Sequence, residues 1–175
     1  MKNNYFIIKL LILFLLVTNV SGKDLKINSS EVKLDKKESK VILKGNIKAV
    51  DENNNLLEAN EAIYLKDEDL LKSIGSTKII TNSNYLFESE NVVFDNKNKI
   101  IKSDFPTKIN DPDGNIILVD MFNYNSLKNI LFSKGNVKLE DKNKNVYKFN
   151  ELYLDEKKKK IIGSDAKIFL NDRSL

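Results

Sequence analysis

The sequence predicts an all-β, antiparallel fold, a β-taco or β-jelly roll built from about five 30-residue strand-pair repeats. Three observations carry that expectation. Residue classes recur every thirty positions: Leu34, Tyr64, Phe94, Tyr124 and Leu154 form one column, and Val32, Ala62, Val92, Phe122 and Leu152 form another. Between polar turns, apolar and polar residues alternate, as in Val41, Leu43, Gly45, Ile47 and Ala49, the signature of a half-buried strand. Two turns per unit are too short for crossovers, so neighbouring strands must run antiparallel. About nine or ten such strands are expected, stacked so that each unit buries its apolar face against the next.

Residues 1–22 differ in kind from the rest of the chain. Lys2, the apolar run Leu10–Val17 and the short side chains of Val20, Ser21 and Gly22 have the order of a secretory signal peptide. The run is well below the ~20 residues of a spanning helix. Residues 23–175 form the folded domain, and the protein is expected to be exported.

Each unit then reads strand, turn, strand, turn. One turn series is Asp51–Asn55, Asn82–Asn84, Asp111–Asn115 and Asp141–Asn145. The other is Lys36–Ser39, Asp67–Asp69, Asn96–Lys99, Ser126–Asn129 and Glu156–Lys159. The second strand of each unit breaks parity: Phe87 and Phe94, or Phe149 and Leu154, lie an odd number of positions apart. Both can face inward only if the strand bends or bulges between them. Gly45, Gly75 and Gly135 mark a bend at similar depth in the partner strands, with Phe105 interrupting the column. Every strand is therefore expected to fold midway, closing the sheet like a V around an apolar trough.

Composition narrows the function. The 175 residues include no Cys and no His, which excludes the common nucleophile pairs and the usual zinc sites. Charged residues make up 31% and leave a net charge of +4, with acids interleaved among lysines throughout. That is a solvated surface and not a nucleic-acid footprint. Lys48, Lys78, Lys108 and Lys138 form a ladder about 9.5 Å apart if units are two strands apart. Its repulsion of about 0.4 kcal/mol per pair is tolerable on an outer face. Asp111–Asn115 resembles the start of a calcium loop but lacks the later ligands, and a plain turn is expected. No catalytic constellation, cofactor or metal site is indicated, and the protein is read as a non-enzyme.

The apolar trough is the informative feature. Its expected lining is Leu43, Ile47, Ala59, Tyr64, Ile79, Phe87, Phe94, Ile109, Val119, Phe122, Tyr124, Val137, Phe149 and Leu152. Small residues among these, Ala49, Ala62, Ser73, Ser89, Ser103 and Ser133, are expected to leave room for a guest. An acyl chain there would gain about 0.8 kcal/mol per methylene. At the first strand, Ile27, Val32 and Leu34 lie on an edge that carries no proline and is expected to accept a partner strand.

The stretches Lys26–Ala49 and Ile130–Phe169, with Gly45-Asn46-Ile47 and Gly135-Asn136-Val137 at regular spacing, resemble the OstA-like family of lipopolysaccharide transport. The resemblance implies a twisted β-taco whose interior holds the acyl chains of lipid A. It also implies a periplasmic location associated with the outer membrane, and edge-to-edge pairing with other β-taco domains of a transport bridge. The chain stops inside its fifth unit. It is either a complete bridge protein of the LptA type or the N-terminal part of an LptD-type protein whose outer-membrane barrel would come after it. The units Gly75-Ser76-Thr77 and Phe105-Pro106-Thr107 depart from the family step, and Gly163 sits out of register. A competing reading is a structural or adhesive β-solenoid without a lipid ligand.

Overall fold

The computed structural model describes residues 25–35 and 38–171. The expected signal peptide, residues 1–22, lies outside the described residues, as do Lys36 and Lys37 of the first turn. Strands β1 (Lys26–Asn28), β2 (Glu31–Asp35), β3 (Lys40–Val50), β4 (Leu56–Leu65) and β5 (Leu70–Ile80) come first. Next are β6 (Leu86–Glu90), β7 (Val93–Asp95), β8 (Ile100–Ser103), β9 (Thr107–Asn110), β10 (Ile116–Val119) and β11 (Phe122–Asn125). The last four are β12 (Ile130–Glu140), β13 (Val146–Asp155), β14 (Lys160–Ser164) and β15 (Lys167–Phe169). All pair antiparallel in one fifteen-stranded sheet, which excludes a parallel-rung solenoid.

The sheet folds along a crease that crosses every strand. On one side, sheet I runs β2-β3-β4-β5-β7-β8-β11-β12-β13-β14; on the other, sheet II runs β1-β3-β4-β5-β6-β9-β10-β12-β13-β15. Long strands cross the crease through bulges, with register shifts at Lys44/Ile47, Ala59/Glu61 and Lys134/Val137. Where the bend is too sharp, one strand becomes two, as at β6 and β7 or β10 and β11. Fifteen strands thus stand where nine or ten were expected, because the crease cuts several of them.

Backbone conformation repeats with the sequence. Left-handed residues occur at Ser39, Asp69, Lys99, Asn129 and Lys159 in the turns that end sheet I. They occur at Asn54, Asn84, Gly114 and Lys144 in those that end sheet II. In the second series an aspartate organises the turn: Asp51 Oδ1 accepts the N–H groups of Asn53 and Asn55, and Asp111 and Asp141 repeat the arrangement with Asn115 and Asn145. At the crease, Gly45, Gly75 and Gly135 have positive φ, and Asp165 occupies the next position of that column with φ 51°. Asp165, and not Gly163, is therefore the fifth copy of the bend.

The core fills the V. A sheet I row of inner residues runs Leu34, Val41, Tyr64, Leu71, Phe94, Ile101, Tyr124, Leu131, Leu154, Ile161 by direct pairing. Facing it, sheet II presents Ile27, Ala49, Leu57, Ile79, Phe87, Ile109, Ile117, Leu139, Tyr147 and Ile168. The expected line through Tyr64, Phe94 and Tyr124 is part of the first row.

Candidate functional site

The middle of the trough is closed by its own side chains. Phe87 from sheet II lies against Phe122 and Tyr124 from sheet I, with ring centroids 5.1 and 5.8 Å apart. Tilted rings at that separation are in favourable contact. Leu43, Ile47, Ile79, Phe87, Phe94, Ile109, Val119, Phe122, Tyr124, Val137 and Leu152 are all buried. Ala59, Tyr64 and Phe149 are half-buried against the same core. All fourteen expected lining residues thus belong to one interior.

The small polar residues have a task that the sequence did not show. They sit beside the crease and bond the backbone that the bend leaves unpaired. Ser73 Oγ accepts the Val92 N–H at 2.8 Å, Ser103 Oγ donates to the Glu90 carbonyl at 2.7 Å, and Ser133 Oγ donates to the Met121 carbonyl at 2.8 Å. Ser89 and Thr107 bond each other across the crease strands at 2.7 Å. A buried backbone group without a partner is costly, so a hydroxyl at this depth stabilises the fold more than a methyl would. Near the C-terminal end the spacing is tight: a Cβ on Gly163 would lie 2.2 Å from the Phe149 ring.

Opposite the crease, the mouth of the V is shut by a polar seam between turns. Lys99 pairs with Glu52 at 2.8 Å, Asn129 donates to Asn82, and Lys159 pairs with Asp113 at 2.8 Å. The first three sheet II turns each meet a sheet I turn 46 or 47 residues later, one and a half units downstream. The centre of the seam is Glu156, which is 4% exposed. Its Oε2 accepts bonds from Tyr124 at 2.9 Å and Thr81 at 3.4 Å. Burial raises the Glu156 carboxyl to about 7, against the hydrogen bonds that favour its charge. Burial and the neighbouring carboxyl likewise push the Tyr124 phenol up.

Sequence reading missed the seam. The sole trace lies in Asn96, Ser126 and Glu156, successive first positions of sheet I turns, all buried where a turn tip would ordinarily be wet. A thirty-residue alignment shows that column but not the contacts that bury it, such as Thr81 on Glu156, 75 residues away.

This stagger uncovers the inner face at both ends. Sheet I projects at the N-terminal end, where Val32 and Leu34 are 62% and 58% exposed. At the other end Ile161 and Ile168 are 40% and 59% exposed. Of the expected edge residues, Ile27 is half-buried and paired with Ala49, whereas Val32 and Leu34 are open.

On the outer face of sheet II the lysine ladder is interleaved with acids. Lys48, Glu58, Lys78, Glu88 and Lys108 are direct cross-strand neighbours, with ion pairs of 2.8 Å for Lys48–Glu58 and 3.6 Å for Lys108–Glu88.

These features define an antiparallel two-sheet protein folded along a crease, with an apolar interior whose inner rows are exposed at both ends of the described residues. No family model matches the chain, and no curated protein matches it. A solved structure found similar to it is the crystal structure of LptH, the LptA homologous periplasmic component of the conserved lipopolysaccharide transport device from Pseudomonas aeruginosa. The two are 10% identical, the match covers 85% of this chain and 96% of that one, and the TM-score is 0.36. So distant a likeness carries no argument, and the fold rests on the strand pairing given above.

Proposed function

We propose that this chain is a non-enzymatic periplasmic carrier that holds the acyl chains of lipopolysaccharide in its apolar interior and passes them toward the outer membrane. The observation that carries the reading is the continuity of the inner rows, which run from exposed Val32 and Leu34 to exposed Ile161 and Ile168. The Gly-Asn-hydrophobic steps at Gly45 and Gly135, resembling the OstA-like family, support the same reading.

Its partners are domains of the same fold, joined edge to edge. The two free edges are matched for this. Inner positions Ile27 and Leu34 are seven residues apart, and so are Ile161 and Ile168. A neighbouring copy can therefore pair Leu34 with Ile161 and Ile27 with Ile168 in one unbroken register, which also sets Asp35 opposite Lys160. Main-chain bonds would supply the affinity.

The closed middle of the interior favours a second reading, a rigid structural module without a lipid. Photo-crosslinking in cells separates the two. A photoreactive residue at half-buried Phe149 or buried Phe94 captures lipopolysaccharide under the carrier reading, and one at Lys78 does not. Capture at neither interior position leaves the structural module.

A further inference from the structure

The alternation of charge on the outer face of sheet II ends abruptly. Beyond Lys108 the row continues with Leu118, Lys138, Lys148 and Lys167, each the direct cross-strand neighbour of the one before. Like charges at paired positions destabilise a sheet, and three lysines in a row carry that cost with two acids near them, Glu140 and Asp165. Glu140 lies 3.5 Å from Lys138 and is shared with Lys144. Neither Lys148 nor Lys167 makes an ion pair among the described residues. The Lys148 ammonium stands 5.4 Å over the Phe169 ring.

These lysines rim a cleft of about 510 Å³ where the crease separates β13 from its neighbours. Its other lining residues are of three kinds, the first being the acid Asp165. The amides of Asn136 and Asn150 are polar, with Asn150 donating to Asp165 at 2.9 Å and Asn136 to Asp120 at 2.9 Å. Val137 and Phe149 are apolar and belong to the trough itself. The cleft thus joins a cationic rim to the half-open end of the interior. β15 is a free edge with Lys167 on its outer face and Ile168 on its inner face, so one amphiphile can engage both.

We propose that this cleft binds the phosphate of a phosphorylated lipid, with Lys148 and Lys167 as its principal ligands and Lys138 behind them. Ammonium groups on adjacent strands suit a dianionic phosphate, since charge-assisted hydrogen bonds are the strong ones. The apolar floor suits the first methylenes of the attached chain. This rests on the carrier reading and adds a headgroup site to it.

Lys148 and Lys167 are exposed, so replacing both with Gln relieves repulsion and leaves the fold intact. Binding is measured with bisphosphorylated lipid A in neutral detergent micelles, with the same lipid after its phosphates are removed, and with inorganic phosphate. The double variant is expected to lose about tenfold in affinity for the phosphorylated lipid and nothing for the dephosphorylated one. A Lys48→Gln, Lys78→Gln control is expected to lose nothing for either. Unchanged affinity of the Lys148→Gln, Lys167→Gln protein for the phosphorylated lipid overturns the site while the carrier reading stands. So does inorganic phosphate binding as tightly as the phosphorylated lipid. Failure of the wild-type protein to bind either lipid overturns both.

Discussion

Glu156 shows how one side chain can set the conditions under which the interior stays shut. Its carboxyl titrates near 4.5 in an unfolded chain and near 7 in the folded one, so the native state binds the proton more tightly. Stability from this group is full below about pH 4.5, declines as pH rises, and is lost above about pH 7, to the extent of roughly 3 kcal/mol. Glu156→Gln keeps an acceptor for Tyr124 and cannot ionise. Denaturant melts are expected to find the variant more stable than wild type at about pH 8.5 and no more stable at about pH 5. A wild-type profile flat across that range would remove Glu156 from the seam's energetics. Sequence showed this residue as a turn tip, because burial there depends on a turn from another part of the array.

At the scale of the element, the crease is what the sequence displayed best. The parity break between Phe87 and Phe94 and the glycine column could be satisfied only by a bend, and the bulges stand at those positions. What the pattern did not display is how each bend is satisfied. At Gly75 the side chain of Asn91 accepts the backbone N–H at 2.9 Å; at Gly135, Asp120 packs so closely that a Cβ would lie 2.8 Å from its Oδ2. Gly135 also has φ +108°, outside the ordinary left-handed well. Gly135→Ala is therefore expected to cost about 1–3 kcal/mol in a thermal or urea melt. Gly75→Ala, with open space around its Cβ, should cost less. What the serines bond was not legible for a related reason: a hydroxyl that bonds bent backbone and a small side chain beside a gap leave the same letter in the sequence.

For the molecule as a whole, the two free edges predict their own junction. The chain has no cysteine, so single-cysteine variants Leu34→Cys and Ile161→Cys can be mixed and oxidised. They are expected to form a cross-linked dimer, whereas Leu34→Cys with Ser164→Cys, which lies outside that register, should not. Cross-linking of the second pair alone would mean that the edges meet in another register or not at all. The thirty-residue columns made the stack, its inner rows and the edge at Val32 and Leu34 legible, but not the offset between the two sheets. Exposure of Val32 and Leu34 follows from the stagger between sheets, a property of accumulated twist that no local pattern encodes.

That stagger also governs the order in which the protein can form. In an ordinary linear array each unit closes on its immediate neighbour, so a nascent chain gains shelter one repeat at a time. Here, across the mouth of the V, the turn at Asp51–Asn55 reaches Lys99 and that at Asn82–Asn84 reaches Asn129, while Thr81 beside the second also reaches Glu156. A growing or translocating chain must therefore deliver half a unit more than its neighbour before any earlier section is latched. The first strands pass through a stage in which their greasy side is paired along one flank and bare along the other, open to whatever apolar molecule is near when they emerge.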